Sequence, residues 1–350
     1  MKIVVLCGGI STERAVSLVT GVSVCKALRR RGHKAILVDM FMGIEDFSGC
    51  LNDLFESDDG LMSDFAISRD EPDLDVVKAM RKDKSSSRIG KNVLDICSLA
   101  DCVFLGLHGA DGEDGKIQGT LELMGIPYTA SNPLASAMAM DKAVSKIVMD
   151  KYGILTPEWR EFTYTKGDIP ALVEDLPVPC AIKVVNGGSS IGVALPETKT
   201  ELLEALEQFE HFNSRIIWEK KIIGRELTQP VLGENYLPAI EIVPPESGKF
   251  DYVAKYQAGS EGATEICPAE ISAEQQKLLG ETALKLHKAL GLSVYSRSDF
   301  ILDKDGNAWC LEVNNLPGMT PASLVPKAAA AAGIEYDELC EKIIELSLAD

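Results

Sequence analysis

Two carboxylates and a carboxamide stand close together near the C-terminal end of the sequence, on either side of an Asp-Gly pair at 305–306. Asp-Gly favours a two-residue β-hairpin turn, and such a turn would place Asp299 directly opposite Glu312. Arg297 would then lie opposite Asn314 on the same face of the hairpin. Directly opposed Cβ atoms are about 4.5 to 5.5 Å apart, so the two carboxylates repel each other unless a cation lies between them. Oxygen donors from Asp, Glu and Asn suit a hard cation such as Mg²⁺. The pattern favours a metal site, with a solvated sheet face as the alternative.

A glycine-rich stretch, NGGSSIG at 186–192, follows an apolar run that predicts a buried strand. Backbone N–H groups in such a loop can approach an anion closely, and the serines add donors. The stretch lacks the Lys-Ser/Thr ending of a P-loop and does not fit G-x-G-x-x-G. Lys183 lies on the buried strand, where lysine is rare without a partner, and a phosphate would supply one. We predict a phosphate-binding loop here, with a flexible hairpin tip as the alternative.

A second charged stretch, WEKKI at 218–222, predicts a strand that carries Glu219, Lys220 and Lys221. Backbone groups of such a strand could bind the edge of an adenine ring, whereas an exposed edge strand is the plainer interpretation.

The composition of the whole chain limits what the protein binds. With 350 residues the chain is long enough for two or three domains. Its net charge of −18 opposes non-specific binding to nucleic acid or to an anionic membrane. The nine cysteines form no Cys-x-x-Cys pair, and no stretch approaches the ~18 apolar residues of a membrane span. We therefore expect a cytoplasmic protein without nucleic-acid or membrane partners.

The hydrophobic pattern at the N-terminus predicts a βαβ unit, with buried strands at 3–6 and 35–38 and a helix between them. Such a unit implies a parallel sheet with a right-handed crossover. Residues 56–90 are polar and charged, and they predict a surface excursion around one short helix at 74–80.

The pattern changes twice further along the chain. A break at 131–133 ends the first unit, and beyond residue 215 the chain is strongly β. Between these points an amphipathic helix is predicted at 141–151. The apolar face that this helix should bury consists of Val144, Ile147 and Val148. The predicted domains are an N-terminal α/β domain at 1–130, a central lobe at 131–224 and a C-terminal lobe at 225–350.

Eight stretches in a fixed order carry most of the information about function. They are GGISTERAVS (8–17), HGADGEDGKIQGTLELMGIPYTAS (108–131), MDK (140–142), NGGSSIG (186–192), AKY (254–256), SRSDFILD (296–303), EVNNLPGMT (312–320) and SLVPKAA (323–329). Together they resemble the D-alanine–D-alanine ligases, a family of ATP-grasp enzymes of peptidoglycan synthesis. The resemblance covers nearly the whole chain, which makes it far more specific than any single motif.

The resemblance implies an ATP-grasp fold of α/β and α+β domains with a Rossmann-like N-terminal domain. It implies ATP-dependent joining of two D-alanines through a D-alanyl phosphate, with release of ADP and phosphate. The implied cofactors are two Mg²⁺ or Mn²⁺ ions per site, and the implied assembly is a homodimer. A ligase of the same fold with D-serine or D-lactate as acceptor remains an alternative, as does a nucleotide-binding regulatory protein without turnover. An NAD-binding module is disfavoured because the third glycine of its motif is missing.

The resemblance also implies what individual residues do. The implied metal ligands are Asp299, Glu312 and Asn314. The implied ATP-binding residues are Lys142, Lys183, Gly188, Ser189, Ser190, Glu219, Lys220, Ile222, Glu226 and Lys255. The first D-alanine is expected at Glu13 and His108, and the carboxylate of the second at Ser323 and Leu324. The groups expected to stabilise the oxyanion are Arg297 and the backbone N–H of Gly318.

A closing loop is expected at 247–266, because an acyl phosphate must be protected from water. In the family the tyrosine of this loop, here Tyr256, bonds to the serine that is Ser189 here, and so reaches the region of Glu13. Tyrosine at this position resembles enzymes that make D-alanyl-D-alanine. Plainer interpretations are a surface tyrosine, a strand-end histidine at His108, and a first-turn helix carboxylate at Glu13.

The chain departs from the usual pattern of the family at two sites. The family commonly has proline directly after the lysine that corresponds to Lys183, where this chain has valine. It commonly has Thr or Ser at 315–316, where this chain has Asn and Leu. Catalysis is expected despite these differences, and they leave the acceptor open.

Overall fold

A parallel sheet forms the N-terminal part of the protein, whose computed structural model describes residues 1–56, 72–187, 192–210, 215–244 and 263–349. Its strands are β1 (Lys2–Cys7), β2 (Lys34–Asp39) and β3 (Cys102–Leu105), in the order β2-β1-β3. Helix α1 (Arg14–Arg30) connects the first two strands, which confirms the predicted βαβ unit. The apolar residues of β1 are buried, as expected where helices cover the faces of a parallel sheet.

The rest of the N-terminal part consists of short elements. They are a 3₁₀ turn at Leu51–Glu56 and the helices α2 (Leu74–Met80), α3 (Val93–Cys97) and α4 (Lys116–Leu123). The predicted helix at 74–80 is confirmed, and residues 57–71 of the polar segment before it lie outside the described residues. None of the helices in the described ranges is long and apolar enough to cross a membrane.

An antiparallel sheet follows in the middle of the chain. Its strands are β4 (Trp159–Phe162), β5 (Cys180–Val184), β6 (Val193–Ala194) and β7 (Ile216–Lys220), in the order β4-β7-β5-β6. The helices of this region are α7 (Ile169–Asp175) and α8 (Lys199–Glu210). Ile182 and Trp218 bury their side chains in a core with these helices. Because side chains alternate along a strand, Lys183 and Glu219 lie on the opposite face.

A second antiparallel sheet contains the acidic hairpin. Its strands are β8 (Arg225–Leu232), β9 (Asn235–Tyr236), β10 (Ile240–Val243), β11 (Thr264–Ile266), β12 (Tyr295–Leu302) and β13 (Ala308–Asn314). The strand order is β11-β10-β8-β12-β13, and β9 pairs with β8. The remaining helices are α5 (Pro133–Met140), α6 (Lys142–Lys151), α9 (Ala273–Ala289), α10 (Leu324–Ala331) and α11 (Tyr336–Leu348).

These helices connect the sheets in two ways. Helices α5, α6 and α9 pack on the second antiparallel sheet in a core that contains Met149, Leu286 and Phe300. Helices α10 and α11 pack against the N-terminal part, where Leu339 shares a core with Leu28. The N-terminal and C-terminal parts therefore share one continuous core. The predicted domain limits at 130 and 224 stay a prediction.

The predicted buried face of α6 is wrong. Ile147 is 55% exposed, whereas Lys142 and Lys146 are buried together with Ala143 and Met149. The helix turns its lysines inward because carboxylates of two different sheets lie beside them. The apolar pattern of the helix misleads here, since buried lysines with anionic partners replace part of its apolar face.

The acidic hairpin has the predicted pairing of its functional residues but a different turn. Leu302 pairs with Ala308, and the backbone N–H of Asp303 donates to the carbonyl oxygen of Asn307 at 3.0 Å. The loop between Asp303 and Asn307 therefore holds three residues instead of the predicted two. Gly306 has φ +84°, as the three-residue loop requires. The register then shifts next to Asp299, where a β-bulge restores its pairing with Glu312. The bulge compensates for the longer turn, and the predicted opposition of the two carboxylates is confirmed.

Candidate active site

One cavity of about 500 Å³ is lined by both antiparallel sheets and by residues of the N-terminal part. The predicted site residues that line it are Glu13, His108, Lys142, Lys183, Glu219, Lys220, Ile222, Glu226, Arg297, Asp299, Glu312, Asn314, Gly318, Ser323 and Leu324. The predicted residues Gly188, Ser189, Ser190, Lys255 and Tyr256 lie outside the described residues. Side chains from distant parts of the sequence thus converge on one cavity.

A cluster of three buried charges forms one wall of this cavity. Strands β5 and β7 are antiparallel, with Ala181 opposite Glu219, and this register makes Lys183 a diagonal neighbour of Glu219. The Nζ of Lys183 donates to Glu219 Oε2 at 2.9 Å. The Nζ of Lys146, on α6, lies 3.2 Å from the other oxygen, Oε1. Both oxygens of this carboxylate therefore face a lysine.

The electrostatics of the cluster follow from its burial. Burial opposes ionisation of Glu219, but the two lysines outweigh it and lower the pKa of the carboxyl. Burial also opposes the charge on Lys183, yet attraction to Glu219 raises the pKa of this lysine. For Lys146 burial dominates, and its pKa is lowered despite the same carboxylate. Sequence reasoning missed Lys146. The residue lies on the buried face of its helix, but a lysine does not contribute to the apolar pattern from which that face is predicted.

The acidic hairpin forms the opposite wall of the cavity. Arg297 donates two hydrogen bonds of 2.9 Å to the carboxylate of Asp299, and Thr228 Oγ1 donates a third at 2.6 Å. The Nζ of Lys142 lies 3.2 Å from Glu312 Oε2 and donates to the carbonyl oxygen of Gly187. Each carboxylate of the hairpin thus has a cation of the protein beside it, which offsets the repulsion between them.

The residues that follow β13 shape the end of the hairpin. The Oδ1 of Asn314 accepts a hydrogen bond from the backbone N–H of Leu316 at 2.9 Å. Asn315 is buried, and its Nδ2 donates to the carbonyl oxygen of Glu113 at 3.1 Å. This bond links the strand end to a loop of the N-terminal part. It gives a physical account of Asn315, one of the positions where the chain departs from the family pattern.

The N-terminal end of the cavity is formed by the loop after β1 and by the loop after β3. Ser11 Oγ donates to the carbonyl oxygen of His108 at 2.7 Å and accepts from the backbone N–H of Glu13 at 3.3 Å. Gly109 has φ +72°, and a Cβ atom there would lie 3.0 Å from Glu13 Oε2. A glycine at this position therefore gives the Glu13 carboxylate its space.

A second carboxylate, Glu113, lies beside His108. Its Oε1 accepts a hydrogen bond from Gly109 N at 3.0 Å and lies 3.6 Å from the Nδ1 of His108. Burial raises the pKa of Glu113, the nearby Glu13 adds to the shift, and His108 opposes it. Sequence reasoning missed Glu113, because only the folded loop, with φ +69° at Asp111, returns it to the histidine.

The remaining wall lies around the start of α10. Ser323 precedes this helix, and its Oγ accepts a hydrogen bond from Thr320 N at 3.1 Å. A Cβ atom at Gly318 would lie 2.9 Å from the same hydroxyl oxygen, so only glycine fits without displacing it. Leu324 is the first residue of the helix, and backbone N–H groups of a first helical turn attract anions.

The strand predicted to contact adenine is shorter than expected. It ends at Lys220, whose backbone N–H donates to the carbonyl oxygen of Glu158 at 2.9 Å. Lys220 and Ile222 line the cavity just beyond the charge cluster, and Glu226 lines it from the neighbouring strand β8. The segment therefore lines the cavity next to Glu219.

Comparison with known sequences identifies one family over both parts of the chain. A family model described as the D-ala D-ala ligase N-terminus matches residues 2–131, and one described as the D-ala D-ala ligase C-terminus matches residues 148–345. The D-alanine–D-alanine ligase of Pediococcus pentosaceus is 42% identical over 345 residues, which cover 98% of this chain and 97% of the relative. That of Lacticaseibacillus casei is 39% identical over 350 residues, covering 98% and 95%.

Solved structures give the same result. The D-alanine–D-alanine ligase of Bacillus anthracis complexed with ATP has a TM-score of 0.70 and 32% identity, covering 100% of this chain and 98% of that one. The ligase of Coxiella burnetii has a TM-score of 0.72 and 26% identity, covering 100% and 94%. The predicted ATP-grasp fold, with its Rossmann-like N-terminal part, is confirmed. This chain belongs to the D-alanine–D-alanine ligase family.

Proposed function

We propose that this ATP-dependent ligase joins two D-alanine molecules to D-alanyl-D-alanine through a D-alanyl phosphate, for peptidoglycan precursors. The single observation that carries the proposal is that fifteen predicted site residues line one cavity of about 500 Å³. Relatives named D-alanine–D-alanine ligase align over almost the whole chain.

The first D-alanine is held at the N-terminal end of the cavity. The carboxylate of Glu13 binds its ammonium group, and His108 lies beside it. The nearby Glu113 belongs to the same buried cluster. Fixing the amino acid there holds its carboxylate toward the nucleotide, and such positioning removes much of the entropic barrier to reaction.

The phosphates of ATP are held between the two charged walls. The carboxylate of the first D-alanine and the γ-phosphate are both anions, so cations must spread the charge as they approach. Lys142 and Lys183 both line the cavity and carry this charge. The segment from Glu219 to Ile222 holds the adenine, and Glu226 holds the ribose.

The metal ions are held by Asp299, Glu312 and Asn314. These side chains offer oxygen donors alone, which suits Mg²⁺ or Mn²⁺. In the described ranges no group of three His, Cys, Asp or Glu side chains is arranged to hold a metal, and Asn314 would supply the third side-chain oxygen beside Asp299 and Glu312. When bound, two such ions neutralise charge on the phosphates.

The second D-alanine is held at the start of α10. Ser323 and the N-terminal turn that begins at Leu324 bind its carboxylate. Its amine attacks the acyl phosphate, and Arg297 with the backbone N–H of Gly318 stabilises the oxyanion. One such donor contributes about 3 to 4 kcal/mol to the transition state.

The cellular setting is part of the proposal. The nine cysteines are free thiols, which supports a reducing compartment and hence the cytoplasm. A homodimer is proposed from the family resemblance.

The test is an assay of the purified protein with ATP, Mg²⁺ and D-alanine. We expect phosphate release together with D-alanyl-D-alanine, detected by mass spectrometry. Parallel reactions that contain D-alanine with D-serine or D-lactate identify the acceptor. If a mixed product with D-serine or D-lactate formed faster than D-alanyl-D-alanine, that acid would be assigned as the acceptor in place of D-alanine. No phosphate release with any of these acids would overturn the proposal and leave a nucleotide-binding protein without turnover.

A further inference from the structure

Lys146 is a buried lysine that the proposed reaction does not use. It lies on α6, one helical turn after Lys142, and its side chain is 0% exposed. Unlike Lys142 and Lys183, it does not line the cavity. A fully buried lysine is rare without a specific partner, and here the partner is Glu219 at 3.2 Å.

The two lysines approach Glu219 from different sides. Lys183 bonds to Oε2 and lines the cavity, whereas Lys146 lies at Oε1 behind it. Two cations beside one carboxylate leave a net positive charge in a buried site. This charge favours the binding of an anion. Only Lys183 of the pair is in a position to reach that anion.

We propose that Lys146 is a positioning residue that keeps Glu219 paired, so that Lys183 can exchange this carboxylate for a phosphate oxygen of ATP. The inference rests on the proposed function, because it takes ATP as the ligand of the cavity. Without Lys146, moving Lys183 to a phosphate would leave a buried carboxylate without a cation, which is strongly unfavourable. With Lys146 in place, one ion pair of Glu219 persists throughout the exchange.

The surroundings of Lys146 fix it in this position. Its Nζ donates to Thr156 Oγ1 at 2.7 Å, and this hydroxyl donates to the carbonyl oxygen of Cys310 at 2.8 Å. Cys310 lies on β13, the strand that also carries Glu312. Lys146 is therefore tied to the opposite wall of the cavity while its charge faces Glu219.

The experiment compares binding of ATP with binding of adenosine, which has no phosphates. Titration calorimetry measures the Kd of Mg²⁺–ATP, and competition gives that of adenosine, for the full-length wild type and Lys146→Met. We expect the Kd of ATP to rise about tenfold or more in the variant, because Lys183 is retained by Glu219. The Kd of adenosine should change less than threefold, since its binding does not require the exchange.

Two further variants control the comparison. Lys146→Arg keeps the charge and should recover part of the ATP affinity. Lys151→Met makes the same substitution at an exposed position of the same helix and should leave both Kd values within twofold of wild type. Thr156→Val removes the hydroxyl that accepts a hydrogen bond from Lys146. It should raise the Kd of ATP about threefold and leave the Kd of adenosine unchanged.

Equal losses for ATP and adenosine in Lys146→Met would overturn the proposal, because Lys146 would then only shape the cavity. Unchanged binding of both ligands would overturn it as well. If circular dichroism shows that Lys146→Met is unfolded, Thr156→Val decides by the same comparison. Failure of the proposed function is distinguishable, since wild-type protein that binds ATP but forms no dipeptide still allows the binding test.

Discussion

Glu219 and Glu312 lie on facing walls of one cavity, and their environments differ. The side chain of Glu219 is 2% exposed, with Lys183 and Lys146 on its two oxygens. The side chain of Glu312 is 36% exposed and has Lys142 at 3.2 Å. Asp299, the partner of Glu312 across the hairpin, is 18% exposed and bonded to Arg297.

The difference indicates how each carboxylate contributes. A buried carboxylate that lost a cation could not recover its solvation from water, so the pairing of Glu219 belongs to the stability of the fold. A carboxylate at the cavity surface keeps access to water and can exchange a protein cation for a ligand at low cost. We therefore expect substitution of Glu219 itself to affect mainly stability, and substitutions on the hairpin wall to affect turnover.

The largest expected effect is on the buried wall. Glu219→Gln leaves two lysines buried without their carboxylate, and we expect the free energy of unfolding to fall by about 3 to 5 kcal/mol. Urea denaturation followed by circular dichroism measures it. Glu204→Gln, at an exposed position of α8 in the same region, is the matched control and should change the value by less than ~0.5 kcal/mol. An unchanged denaturation midpoint for Glu219→Gln would remove the contrast between the walls.

The hairpin wall should give the opposite result. Glu312→Gln removes a charge that the proposed reaction needs, and we expect kcat for phosphate release to fall about a hundredfold or more. The free energy of unfolding should change by less than ~1 kcal/mol, because the side chain is partly exposed. Asp305→Asn, at the tip of the same hairpin, serves as the control and should retain activity. A loss of stability as large as that of Glu219→Gln would show that both walls are structural.

The hairpin was predictable from the sequence because its pairing depends on local features. Alternation and a two-residue Asp-Gly turn predicted Asp299 opposite Glu312, but the pairing forms because a β-bulge compensates for a longer turn, which no pattern indicates. The family resemblance supplied other predicted residues of the cavity, such as Glu13, His108 and Lys142, but not Glu113. Helix α8 was not predicted, yet Leu202, Leu206 and Phe209 recur at helical spacing, so the sequence contained that signal.

The buried wall was harder to predict because its partners are distant along the chain. Lys146 faces inward because Glu219, on another element, lies across from it, and the hydrophobic pattern of α6 cannot express that contact. Glu113 depends in the same way on the folded path of its loop. Sequence patterns locate apolar faces, whereas buried charges depend on tertiary partners.

A buried histidine in the C-terminal part sharpens the comparison, because its charge has no strong compensation. The Nδ1 of His287 lies 2.7 Å from Ser296 Oγ. Burial lowers the pKa of His287 to about 4, with Glu234 and Lys288 acting in opposite directions. The unfolded state, with a pKa near 6.5, therefore binds more protons between the two values. The stability contribution of His287 is complete above pH 6.5 and is lost as pH falls toward 4, by about 2 kcal/mol at pH 5.

The variant His287→Gln cannot take up this proton. We expect the difference in unfolding free energy between wild type and variant to shrink by about 2 kcal/mol from pH 7 to pH 5. Urea denaturation at each pH measures the difference. A constant difference across this range would mean that His287 titrates normally in the folded protein, and burial alone would then not suffice to suppress a charge here.

The smallest expected effect concerns Asn315, which connects the hairpin wall to the N-terminal part through Glu113. Asn315→Leu removes the donor to a buried carbonyl oxygen, so the free energy of unfolding should fall by about 1 kcal/mol. The same bond positions the loop that carries His108, and KM for the first D-alanine should therefore rise about threefold while kcat changes less. Asn315→Thr restores the usual residue type of the family. Its unfolding free energy and its KM should lie between those of the wild type and those of Asn315→Leu. If both variants kept the wild-type KM, the hydrogen bond between Asn315 and Glu113 would serve only stability. Asn315 would then resemble Glu219, whose substitution is expected to affect stability.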